Sequence, residues 1–193
     1  MTVTPWIAGR RRELARTRVL TLHEQRFECV DFPDRSGDFT VVECADWVIV
    51  AALTPSADAA TENGPGLVLI EQFRFGIAAN ALELPGGMVD PGEDPLAAGV
   101  RELEEETGYV GENARIVATF DANPAFLTNR VFTVLVENAT PSGKTNLDPS
   151  EQIEASIVPL SGVAGMVAAG QITHTVAIAG LFRVFDEVGQ LGR

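Results

Sequence analysis

Three glutamates, Glu102, Glu105 and Glu106, stand inside the run RELEEETG at 101–108. On a helix their spacing is i, i+3 and i+4, so the carboxylates share one face. Like charges so placed repel, each pair costing an isolated helix about 0.2–0.5 kcal/mol, and the group sits toward the helix C-terminus, where the dipole disfavours anions. A hard divalent cation that takes several oxygen ligands offsets that repulsion. Upstream, Gly86 and Gly87 form a turn in which no side chain keeps backbone carbonyls away from such an ion. Arg101 lies four residues before Glu105 and next to Glu102, where it can orient a ligand carboxylate. The competing reading of the same run is a solvated acidic helix face.

The helix that carries these residues has clear bounds. Asp94 supplies an N-cap, Pro95 a first helical residue, LAAGVRELEEET the helix formers and Gly108 a left-handed stop, which predicts a helix over about 95–106. Around it, WVIVAAL at 47–53 and LVLIEQF at 67–73 read as strands buried on both faces, joined across the polar loop at 54–66 by a hairpin connection. RVLTLHEQRFECVDF and DFTVVECA predict two or three earlier strands; ARIVATFDA, RVFTVLVEN and QIEASIVPL predict three later ones. From Ser161 to about Gly189, apolar residues at helical spacing predict a short helix, a turn at Gly170 and a final helix. Strands, one helix, strands and then helices predict a mixed sheet covered by helices.

At 193 residues, 46% hydrophobic and 21% charged, the chain has the profile of one globular domain, which excludes a disordered chain, a fibre and a disulfide mini-protein. A formal charge of −13 argues against a nucleic-acid surface. The five arginines Arg10, Arg11, Arg12, Arg16 and Arg18 are concentrated at the N-terminus, which reads as a solvated arm pairing with the acidic remainder or with a second subunit. Cys29 and Cys44 are too few for a disulfide framework and read as reduced thiols. The N-terminus has no signal-peptide pattern and no apolar run approaches 18 residues, so the expectation is a cytoplasmic protein that does not enter a membrane. His23 and His174 read as structural, since no His/Cys spacing suggests a transition-metal site.

The whole stretch 83–110 resembles the Nudix box, Gly-x5-Glu-x7-Arg-Glu-U-x-Glu-Glu-x-Gly-U, where U is a bulky apolar residue. Gly87, Glu93, Arg101, Glu102, Leu103, Glu105, Glu106 and Gly108 fill it, and Tyr109 stands where an aliphatic residue is usual. The likeness runs from about Asp46 to the C-terminal helix. It is similar to the branch holding ADP-ribose pyrophosphatases and nucleoside-diphosphate-sugar hydrolases, with Gln72 and Arg74 as that branch's Gln-x-Arg and Pro124 as its proline after the box. Ala125 follows Pro124 where the ADP-ribose enzymes usually have glycine, which points toward nucleotide sugars more broadly.

The resemblance implies an α+β fold, an α/β/α sandwich, with residues 1–45 as an N-terminal β extension for homodimerisation and 46–193 as the hydrolase domain. It implies hydrolysis of a nucleoside diphosphate sugar, ADP-ribose or GDP-mannose among them, with Mg²⁺ or Mn²⁺. Glu102, Glu106, Glu105 and the Gly86 carbonyl are the implied metal ligands, Arg101 and Glu93 supports, and Arg74 the phosphate contact. Glu151 is the expected general base, with Glu154 and Glu105 behind it. Arg130 is a further substrate candidate that also reads as a structural ion pair, and Trp6 or Phe75 could stack on a base, ahead of Trp47. The alternatives are a non-hydrolysing nucleotide-sugar sensor, set against by the intact box, and a hydrolase of dinucleoside polyphosphates or NADH.

Overall fold

The computed structural model describes residues 3–32, 34–56, 64–143, 145–147, 149 and 151–190. Ten strands and three helices follow in the order β1 (Trp6–Arg16), β2 (Leu20–Cys29), β3 (Ser36–Cys44), β4 (Trp47–Thr54), β5 (Gly66–Arg74), β6 (Ala79–Glu83), β7 (Gly86–Met88), α1 (Pro95–Thr107), β8 (Tyr109–Asp121), β9 (Arg130–Pro141), β10 (Ile153–Pro159), α2 (Leu160–Ala168) and α3 (Thr175–Glu187). The chain divides into two compact units, Met1–Asp46 with Asp121–Arg130, and Trp47–Phe120 with Val131–Arg193.

The first unit is a three-stranded antiparallel sheet in the order β1-β2-β3. The N-terminal arginines, expected on a solvated arm, lie on or beside β1, whose register shifts between Ala8 and Arg11 and between Glu13 and Ala15. Arg11 pairs with Glu43 at 2.7 Å, Arg12 with Glu24 at 2.9 Å and Arg16 with Glu13 at 2.7 Å. Trp6 meets Phe39 edge to face with ring centres 5.9 Å apart. The 121–130 segment joins this sheet at Val42, whose N–H donates to Phe126 O at 2.7 Å and whose carbonyl accepts from Thr128 N at 3.1 Å.

The second unit is a seven-stranded mixed sheet ordered β10-β5-β4-β9-β8, with β6 on β5 and β7 on β4; β4 and β9 are parallel. Helices cover both of its faces. Gly99 of α1 lies against Val48 and Val134, while Gly180 of α3 lies against Ile49 and Thr133. Val48 and Ile49, like Val134 and Thr133, are neighbours in sequence and so point to opposite faces. That is why the apolar run of β4 is unbroken: Val48, Val50 and Ala52 join Leu103, Val134 and Val136 in the core under α1, while Ile49 packs toward α3. Burying each such valine or leucine is worth about 1.5–3 kcal/mol. Leu53 pairs with Leu67 in the antiparallel hairpin geometry the sequence suggests; residues 57–63 of that loop lie outside the described ones.

The reading of 67–73 as buried on both faces holds only to Ile70. From Glu71 to Arg74 exposure alternates, in the half of β5 that has left β4 and pairs with β6. Strands β6 and β7 are absent from the sequence-based expectation; they are five and three residues long, built of ANALE and GGM, and carry no β-branched residue. Among the described residues no helix is long and apolar enough to cross a membrane, and both cysteines are free thiols.

Candidate active site

The local chemistry of α1 places the acidic group. Asp94 Oδ1 accepts from the backbone N–H of Leu96 at 3.0 Å and of Ala97 at 3.1 Å, Pro95 opens the helix, and Gly108, at φ 68°, closes it by donating to Glu104 O. With the helix so fixed, Glu102 and Glu106 face the β7 turn. Glu106 Oε2 accepts from Gly86 N at 2.7 Å. A Cβ on Gly87 would stand 2.4 Å from Glu102 Oε1, and one on Gly86 would stand 2.1 Å from Val48 O. Only glycines let the turn and the carboxylates come this close.

Arg101 binds the remaining carboxylates. Its Nε donates to Glu93 Oε1 at 2.9 Å and its Nη2 to Glu93 Oε2 at 3.0 Å; its Nη1 lies 3.0 Å from both Glu102 Oε1 and Glu105 Oε2. The bidentate bonds from Arg101, helped by Asp90 N, hold the Glu93 carboxyl down to about 2. Burial works the other way on the cluster itself. It pushes Glu106 up to about 8 against the Gly86 hydrogen bond, with the charges of Glu102 and Glu151 adding to the rise. Burial also raises Glu102, although Arg101 opposes it.

These are hard oxygen donors whose anionic form the site disfavours, which is the setting in which a hard divalent cation is stabilising. Among the described residues no three His, Cys, Asp or Glu side chains already converge as a metal cluster: Glu102 and Glu105 turn to Arg101, and Glu106 turns to Gly86. The donor set fits a hard divalent cation, and the residues that would hold it are Glu102, Glu105, Glu106 and the Gly86 carbonyl.

Arg74 is half-exposed and its charge is felt by Glu106, so it stands near the carboxylate face. It is not a bare cation. Its Nε and Nη2 donate to Glu83 Oε1 and Oε2 at 2.8 and 2.7 Å. Glu83 is 1% exposed; burial alone would raise its carboxyl, but Arg74, with His174 beside it, takes it down to about 2. The sequence reading gave Glu83 no role. Its one available signal is register: Ile70 faces Glu83 across β5 and β6, and Arg74, four residues on from Ile70, lies on the same sheet face as both.

Arg74, Glu83, Gly86, Gly87 and His174 line a 640 Å³ cavity whose walls include Trp47 and Phe75; Phe75, 84% exposed, packs edge to face on Phe73. Glu151 is exposed on a separate groove with Glu71, Gln72 and Glu154, yet its charge reaches Glu102, Glu106 and Arg74. Glu154 sits on β10 opposite Glu71. Trp6, Pro124 and Arg130 belong to the first unit. There Pro124 lies in a turn closed by Asn123 O, and Arg130 binds Asp46 through its backbone N–H at 2.7 Å and its guanidinium at 3.4 Å. His23, also in the first unit, is buried with Nε2 3.1 Å from Glu43 Oε2.

The NUDIX domain profile matches residues 52–176. The chain is 30% identical over 115 residues to the ADP-ribose pyrophosphatase of Bacillus subtilis (strain 168), an overlap of 59% of this chain and 62% of that one. It is 39% identical over 85 residues to the ADP-sugar pyrophosphatase of Mus musculus, an overlap of 43% and 38%. The chain thus spans between about two fifths and three fifths of the length of these curated relatives. A crystal structure of an ADP compounds hydrolase superposes with a TM-score of 0.81 at 18% identity, covering 100% of this chain and 99% of that one, a likeness of fold.

Proposed function

Because the chain belongs to the NUDIX domain family, whose match spans residues 52–176, we propose that it is a metal-dependent hydrolase of nucleoside diphosphate sugars. Its products are a nucleoside monophosphate and a sugar phosphate. The observation that carries the reading is the group of Glu102, Glu105 and Glu106 against the Gly86–Gly87 turn, with Arg101 anchored by Glu93 behind it. The names of the relatives, an ADP-ribose pyrophosphatase and an ADP-sugar pyrophosphatase, support ADP-ribose and related ADP-sugars as the first substrates to consider.

In this reading water's oxygen bonds to one phosphorus of the diphosphate as the bridging P–O bond breaks. Divalent Mg²⁺ or Mn²⁺, when held by the α1 carboxylates and the Gly86 carbonyl, supplies charge neutralisation on the phosphate oxygens and a more acidic water. Arg101 keeps Glu102 and Glu105 oriented. Arg74 presents to a phosphate oxygen the part of its guanidinium not used by Glu83, and its planar fork suits that contact. Glu151 accepts the proton of the attacking water, a role that requires it to reach that water within hydrogen-bond distance. Trp6, Pro124 and Arg130 contribute to substrate binding in a homodimer formed through the N-terminal strands. The site handles a small nucleotide; no nucleic acid or membrane is required as a partner.

The test is product analysis by ion-exchange chromatography with ADP-ribose, GDP-mannose, ADP-glucose, UDP-glucose, a diadenosine polyphosphate, NADH and 8-oxo-dGTP, each with Mg²⁺ and with chelator. Metal-dependent release of a nucleoside monophosphate and a sugar phosphate supports the reading. Cleavage confined to the last three compounds would replace the substrate class.

A further inference from the structure

We propose that His174 is a positioning residue for Arg74 and acts on it through Glu83. The inference rests on the reading of Arg74 as the arginine that meets the substrate's phosphates. Glu83 Oε2, which already accepts from Arg74 Nη2 at 2.7 Å, lies 2.8 Å from His174 Nδ1. Nδ1 is buried and makes no aligned hydrogen bond, so the ring edge is packed directly on Oε2.

Burial of Glu83 does not by itself call for this third contact. Arg74 alone gives each carboxylate oxygen a charged donor, which is what a buried carboxylate requires. What His174 adds is direction. A carboxylate gripped on one edge only can swing about its last torsion, which is broad for glutamate, and carry the guanidinium with it. With the His174 ring packed 2.8 Å from Oε2 on a second element, that swing is blocked, and the plane of the Arg74 guanidinium is restrained with it.

The place of His174 in the fold supports the same conclusion. It is the residue before the first turn of α3, where Ser, Thr, Asp or Asn ordinarily accept a bond from the helix N–H groups. Its side chain makes no capping bond. The helix start forgoes a cap while the ring goes to Glu83, and His174, Glu83 and Arg74 all line the cavity that Gly86 and Gly87 border. The start of α3 thereby sets the orientation of a cation on the β5–β6 hairpin.

Two readouts test this on the full chain. In ¹⁵N–¹H spectra the Arg74 Nε–H, bonded to Glu83, gives a slowly exchanging signal in the unaltered protein; His174→Ala broadens or removes it, and His174→Asn, which returns a polar group near the Nδ1 position, restores it. By calorimetry with α,β-methylene ADP-ribose as probe, His174→Ala raises Kd by roughly tenfold, the cost of losing an orienting partner. His174→Asn recovers most of that loss, and in an Arg74→Ala background His174→Ala adds nothing further. Thermal unfolding does not track these effects, because Asn also caps the helix. An unchanged Arg74 Nε–H signal in His174→Ala overturns the proposal. So does a Kd that moves in Arg74→Ala but not in His174→Ala. If Kd is unmoved in Arg74→Ala itself, the reading of Arg74 as the phosphate contact is what fails, and the role of His174 falls with it.

Discussion

Glu83 and Glu106 are both buried carboxylates, and their neighbours push them in opposite directions. Glu83 is held by Arg74 and sits at about 2, against an ordinary 4.5; Glu106 is raised to about 8. For Glu83 the unfolded chain binds the proton more tightly, so stability rises with pH between these values. Its contribution is complete above about 4.5 and is lost as pH falls toward 2. Urea unfolding at a series of acid pH values is therefore expected to show a steep loss below pH 4.5 that flattens in Glu83→Gln. At neutral pH, Glu83→Ala strands the Arg74 cation and is expected to cost about 3 kcal/mol, the low end for breaking a buried pair because Arg74 is half-exposed. Glu151→Gln addresses a different role: loss of a general base lowers kcat by roughly 10²- to 10⁴-fold with little change in KM. A retained rate would transfer the proton to Glu105 or Glu154.

Among the elements, α1 was the most legible from sequence. Its cap, first proline and terminal glycine are local signals, and they place the helix at 95–107 against an expected 95–106. The glutamate spacing then fixed which carboxylates share a face. The Glu83–His174 link was not legible, because it depends on a tertiary contact between the β5–β6 hairpin and the start of α3, and nothing in a glutamate's own neighbours announces that it will be buried. Strand β7 was missed for a related reason: a three-residue Gly-Gly-Met segment owes its strand geometry to β4 beside it. The closeness of β7 to α1 leads to a prediction. Gly87→Ala places a methyl 2.4 Å from Glu102 Oε1, forcing that carboxylate aside. Mg²⁺ affinity by calorimetry is expected to fall by roughly 10–100-fold. The thermal midpoint should stay within a few degrees, because the displaced group is the end of a flexible side chain.

At the scale of the molecule, the two units differ in how they are held. The second has a core covered by helices on both faces, whereas every residue of β1 in the first is exposed. Exposed pairs such as Arg12–Glu24 are worth at most about 1 kcal/mol each, so they do little to hold β1 in place. A homodimer formed through these strands would bury Trp6 and Ile7, which are 44% and 62% exposed. Sedimentation is expected to find a dimer that removal of residues 1–16 converts to monomer; a monomeric full chain would refute that assembly. The acidic face of α1 is tested by turnover of ADP-ribose by the unaltered chain and by Glu106→Gln across a Mg²⁺ titration, with AMP and ribose phosphate resolved as products. Release of both products is expected to stop with chelator and to fall on the order of 100-fold or more in Glu106→Gln at saturating Mg²⁺, with unchanged circular dichroism. Turnover by Glu106→Gln close to that of the unaltered chain, or turnover indifferent to chelator, would contradict a metal-holding role for that face.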